Sequence, residues 1–191
     1  MERRELLKMI AAATGAAMIG APASAFAQRP APGGASAFSA TDVALLDEVA
    51  DTILPRTRTP GAKDAGAGAF IAQYVTDCYT PENQAILRAG LADLDRRGGQ
   101  RFIALTRETR TALLRTLDAE ARTQLATTAK DGGAQRGPLK AHYFTMLKQL
   151  AIFSFFTSRP GATEALQYVA VPGRYDGDLA YTPGTPAWAT E

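Results

Sequence analysis

"LKAHYFTMLKQLAIFSFFTS", residues 139–158, is the most apolar run beyond the N-terminal leader. Its second half, "LAIFSFF", is apolar nearly all round. A strand competes for so short a run, but the spacing in "HYFTML" favours a helix. A helix without a polar face is buried on more than one side. Its cover is either the domain's own helices or a partner chain.

Working back from it, no two runs alternate with period two, so no sheet is expected. "SATDVALLDEVADTILP" reads as a helix, with Ser39 or Thr41 as cap and Leu45, Leu46, Val49 and Ile53 at helical spacing. Pro55 stops it. "RTRTPGAKDAGAGA" is a loop. "FIAQYVTDCYT" returns to helical spacing through Phe70, Tyr74, Val75 and Cys78. Thr80-Pro81 is a cap followed by a proline in the first turn. That helix carries Ile86, Leu87, Leu91 and Leu94 and ends at Gly98-Gly99. "RFIALTRETRTALLRTLDAEARTQL" holds one or two short helices, with Thr106 and Asp118 as internal caps. "KDGGAQRGP" is a loop. The fold class is therefore all-α: a single small helical domain with a long irregular C-terminal tail.

That tail runs from about residue 158. Only "ATEALQYV" within it has helical character; the rest alternates proline, glycine and aromatic residues. Aromatics on an irregular segment usually lie against something. Phe155, Phe156, Arg159, Tyr168, Arg174 and Tyr175 are the types that anchor interfaces, and this stretch is the expected partner surface.

At the other end, "MERRELLKMIAAATGAAMIGAPASAFAQ" is an export leader. Arg3, Arg4 and Lys8 form the basic region, Met9 to Ala21 the apolar one, and Ala25-Phe26-Ala27 an A-x-A cleavage site. The adjacent arginines resemble the twin-arginine signal. The apolar region is well short of the ~20 residues a spanning helix needs. The expected organisation is a cleavable signal at 1–27, a Pro/Gly/Ala linker at 28–38 and a helical domain at 39–191.

Composition excludes much. The net charge of +2 is spread with signs mixed, and no basic block suggests nucleic acid. With one cysteine, Cys78, no internal disulfide can form; a buried thiol is expected. With one histidine, His142, the inventory leaves out a structural zinc and a conventional haem pair. There is no G-x-G-x-x-G, P-loop or G-x-S-x-G. Asp47, Glu48 and Asp51 read as a solvated face rather than an acid–base pair. No catalytic, cofactor or metal residue is expected in this chain.

Two stretches, "DTILPRTRTPGAKDAGAGAFI" and "FTSRPGATEALQYVAVPGRYDG", resemble the gluconate 2-dehydrogenase subunit 3 family. The resemblance spans roughly Ser39 to Trp188. Its most specific part is Phe156-Thr157-Ser158, Pro160-Gly161-Ala162-Thr163 and Val171-Pro172-Gly173-Arg174-Tyr175. Many members carry a cysteine shortly after the final glycine; Asp178 stands there, leaving no thiol for whatever contact that cysteine serves. The resemblance implies a non-catalytic small, or gamma, subunit. Its partner would be a flavoprotein large subunit of the glucose-methanol-choline type, which holds FAD and oxidises the sugar. A multihaem cytochrome c subunit, with haem c, frequently takes the electrons onward. The small subunit would escort the folded flavoprotein through the twin-arginine translocase to the periplasm, where the complex is membrane-associated. The other classes are a solitary helical binding or scaffolding domain and, behind it, a stand-alone periplasmic enzyme.

Overall fold

The computed structural model describes residues 37–130, 142–171, 173, 177–180 and 182–189, with side chains to residue 127 on the helix that ends at Lys130. All of them belong to one compact unit, Ser36–Glu191. The expected export leader, with Arg3, Arg4, Lys8, Ala25 and Ala27, lies outside the described residues, as do Arg174 and Tyr175.

Among the described residues five α-helices form: α1 (Ala40–Ile53), α2 (Ala67–Cys78), α3 (Pro81–Gly98), α4 (Arg107–Lys130) and α5 (Tyr143–Phe156). No strand forms among the described residues, and none of their helices is long and apolar enough to cross a membrane. The sequence places the starts of α1 and α3 well, because capping chemistry marks them. Ser39 and Asp42 form a reciprocal capping box at α1. At α3, Thr80 accepts from the Asn83 amide ahead of Pro81, and Gly99 closes the end in the left-handed region (φ 67°).

Packing begins earlier than residue 39. Phe38 is buried in the core, and Ala37 is tied at both ends: its N–H donates to Thr76 Oγ1 (3.2 Å) and its carbonyl accepts from Arg88 (3.3 Å). The last two residues of the expected linker therefore belong to the domain.

The α4 segment also differs from expectation. A 3₁₀ turn, Phe102–Ala104, precedes one 24-residue helix. Thr106 does cap it, accepting from the Thr109 amide (3.3 Å). Asp118 caps nothing. It sits mid-helix and reaches sideways to Lys148 on α5 (2.8 Å) and to Arg122. With its carboxylate engaged by Lys148 across the helix interface and by Arg122 one turn on in the same helix, Asp118 has no need of backbone amides, and the helix runs on through it.

The α5 helix is the hub. It touches α1, α2, α3 and α4. Phe144, Met146, Leu147, Leu150, Ala151, Ser154 and Phe155 are buried, against a core that includes Leu46, Ile71, Leu87, Leu94, Phe102 and Leu117. Close approach to α3 is made possible by Gly90: a Cβ there would lie 2.3 Å from the Tyr143 ring and 2.8 Å from its Cβ, and neither can swing away. The Tyr143 hydroxyl then donates to Asp93 (2.7 Å), which also takes Arg97 Nε (2.7 Å) and Arg96; Arg97 continues to Glu120 on α4 (2.7 Å). One carboxylate thus joins α3, α4 and α5.

Burial by itself would raise the Asp93 carboxyl, but hydrogen bonds from Tyr143 and Arg97 and the nearby arginine charges hold it below its ordinary value. Burial, then the bond to Asp93, pushes the Tyr143 phenol well above its own. A lowered carboxylate stabilises the fold above its unfolded value near 3.9, and that contribution is lost as pH falls through the folded value. Asp93→Asn is expected to remove about 2 kcal/mol at neutral pH, the scale of hydrogen bonds to a charged group. Thermal melts between pH 7 and pH 3 check this: the wild-type melting temperature drops steeply below about pH 4, and the variant starts lower and drops less. Parallel curves would show that Asp93 is not the titrating group.

The tail departs most. Instead of a helix over "ATEALQYV", Gly161–Ala165 makes a single π turn, closed by Leu166 N–H donating to the Gly161 carbonyl (3.0 Å). Glycine is required there, since a Cβ would fall 1.9 Å from the Phe155 carbonyl oxygen. The chain leaves the turn extended at Leu166 (φ −113°, ψ 175°). Gln167 then pairs with Trp188 in an isolated parallel bridge.

Candidate partner interface

Three of the residues that could suggest chemistry, His142, Asp47 and Glu48, are committed to holding helices. His142 is the N-cap of α5, its Nδ1 accepting from the Phe144 amide (3.2 Å), with its ring stacked on Tyr143. Asp47 and Glu48 are not a solvated face. Asp47 is half-buried and accepts from the Gly68 amide (2.6 Å), pinning the start of α2 to α1. Glu48 takes Lys63 (2.8 Å) and Arg110, joining α1 to the following loop and to α4. Burial pulls the Glu48 carboxyl up, but the Lys63 bond and the Arg110 charge outweigh it and leave it lowered. Cys78 is a correction of a different kind: its thiol is exposed at the end of α2, not buried. The buried face of α2 is Ala67, Gly68, Ile71, Ala72 and Val75, and Cys78 falls outside it.

That choice of face sets the surface. The spacing of Phe70, Tyr74, Val75 and Cys78 suggests one apolar stripe. The helix instead turns its small residues inward. A Cβ at Gly68 would sit 2.5 Å from the Val43 carbonyl, so α2 lies against α1 at a distance only glycine permits. Phe70 and Tyr74, one turn apart, are left on the flank of that contact.

There they meet α5. Phe70 stacks on Tyr74 (centroids 5.8 Å, 14° between planes), and Phe153 tilts onto both, at 5.7 Å from Phe70 and 5.2 Å from Tyr74. Tyr79 meets Tyr74 edge-on at 6.1 Å. These are favoured aromatic geometries. Yet Phe70 is 38% exposed and Phe153 42%, and on the same side of α5 Ile152 and Phe156 are 40% and 38% exposed. Residues three and four apart on a helix are neighbours, so Ile152, Phe153 and Phe156 form one open apolar stripe running into the ring cluster.

The residues expected at the partner surface divide accordingly. Phe156, Arg159 and Tyr168 are exposed. Phe155 is buried at 4%, its ring edge-on to Phe156. Phe70, Tyr74, Tyr79, Ile152 and Phe153 join the open surface without having been expected there. The available signal was that α5 lacks any polar face while the number of helices around it is small.

Residues 40–173 match the family described as Gluconate 2-dehydrogenase subunit 3. No curated protein and no solved structure matches the chain. The matched residues take in all five helices, the ring cluster and the start of the tail, and on that span the chain belongs to the gluconate 2-dehydrogenase subunit 3 family.

Proposed function

We propose that this chain is the non-catalytic small (gamma) subunit of a membrane-associated, FAD-dependent sugar or sugar-acid dehydrogenase complex of the periplasm. It binds and stabilises a flavoprotein large subunit of the glucose-methanol-choline type and escorts it, already folded, through the twin-arginine route. The observation that carries the reading is the family match combined with an aromatic cluster on α2 and α5 that the domain itself leaves open. An apolar patch of this kind on a small protein marks an interaction site, and aromatic anchors dominate interface energetics. The flavin in this reading belongs to the large subunit, with haem c in a cytochrome subunit where one is present.

Affinity purification of the tagged full-length chain from its native periplasm tests the reading. A stoichiometric second chain carrying flavin absorbance is expected, and the small chain separated from it should be colourless. Recovery of the small chain alone, or flavin bands that stay with it after separation, would sink the proposal.

A further inference from the structure

The family match ends at residue 173, but the chain continues and comes back. Thr182-Pro183-Gly184-Thr185 is a tight turn, with Thr185 N–H donating to the Thr182 carbonyl (3.1 Å) and Gly184 at φ +90°. Proline then glycine at the two central positions is the signature of a type II turn. Beyond it, residues 186–189 lie along Gln167. Three hydrogen bonds hold Gln167 there: its N–H donates to the Ala187 carbonyl (2.8 Å), its carbonyl accepts from Ala189 N–H (2.7 Å), and its side-chain amide donates to the Pro186 carbonyl (2.8 Å). Beside the latch lies a cleft of about 690 Å³, lined by Gln167, Leu179, Thr182 and Trp188 among others.

We propose that residues 182–189, which lie beyond the span matched to the family, are a strap latched onto Gln167. It fixes residues 186–189 against Gln167 in the free protein, ready for the large subunit of the proposed complex. This deepens the reading above and rests on it. The physical argument is pre-organisation. An open tail must lose its conformational freedom when a partner orders it, whereas a latched one has lost much of it beforehand. Tyr168, Val169, Leu179 and Trp188, on and around the strap, stay exposed over two fifths of their surface or more, so the latch leaves apolar area available for contact.

Trp188 is the chain's one tryptophan, so its fluorescence reports on the strap alone. The test uses Gln167→Pro, which removes the N–H and the side-chain amide together, and independently Gly184→Val, which puts a β-branched residue at positive φ. In the isolated full-length chain, acrylamide quenching of Trp188 is expected to rise about two-fold in both variants with helical circular dichroism unchanged; unlatching leaves affinity for the large subunit lower by about ten-fold, a cost of lost pre-organisation. Quenching that does not change overturns the latch. Quenching that rises with affinity unchanged overturns its role in docking. A wild-type chain that binds no large subunit sinks the proposed function, while the quenching result still decides whether the strap is latched.

Discussion

Phe70→Asp combined with Phe153→Asp is expected to leave the isolated chain helical and to weaken its binding to the large subunit by about 100-fold or more. Two aromatic anchors, each worth roughly 2 kcal/mol or more on truncation, exceed the 2.7 kcal/mol that a 100-fold change requires. The added carboxylates deepen the loss, because each would have to be desolvated against the partner. The isolated chain tolerates the change since both side chains already face water over more than a third of their surface. What it forfeits is their ring contact, on the order of 1 kcal/mol. Leu125→Asp is the control: Leu125 is 65% exposed on α4 and outside the ring cluster. Titration of the purified subunits with circular dichroism on each variant makes the check. Equal affinity in all three proteins would remove the cluster from the interface.

Arg3→Lys together with Arg4→Lys is expected to abolish periplasmic dehydrogenase activity and to leave both subunits in the cytoplasm. The substitution conserves charge, so a general demand for positive charge is still met; what disappears is the guanidinium pair, whose planar donors an ammonium does not reproduce. In the proposed complex the large subunit has no label of its own and travels only while bound. Fractionation with activity stain and immunoblot for each chain separates the possibilities. If the large subunit reached the periplasm while the small one stayed behind, escort would be excluded even though the leader is a genuine signal.

Helix existence was legible wherever capping chemistry is local. Ser39 with Asp42, and Thr80 with Pro81, act over three residues and need nothing from the rest of the fold. Asp118 was misread because its role depends on Lys148, thirty residues away in sequence. The candidate surface was half legible for a related reason. The run 152–156 announces an excess of apolar residues, but which of them turn outward depends on where α2 lies. That in turn depends on Gly68 against the Val43 carbonyl, a contact no periodicity encodes. Phe155 and Phe153 differ by two positions and have opposite fates: one is 4% exposed, the other 42%.

The hub position of α5 has a consequence for the order of events during synthesis. It is the last long helix to leave the ribosome and the one against which all the others close. Until residue 156 has emerged, α1 to α4 have faces without cover, and although α1 and α2 can already pack on each other, the core is not closed by the N-terminal half alone. The proposed export leader, by contrast, is complete almost at once. In the proposed reading a nascent chain displays its export label long before it has a core, and a fragment interrupted ahead of Tyr143 would carry the label on an unfinished bundle. If export follows the proposed route for folded cargo, such fragments would be rejected, so the placement of α5 would make passage depend on synthesis having reached at least residue 156.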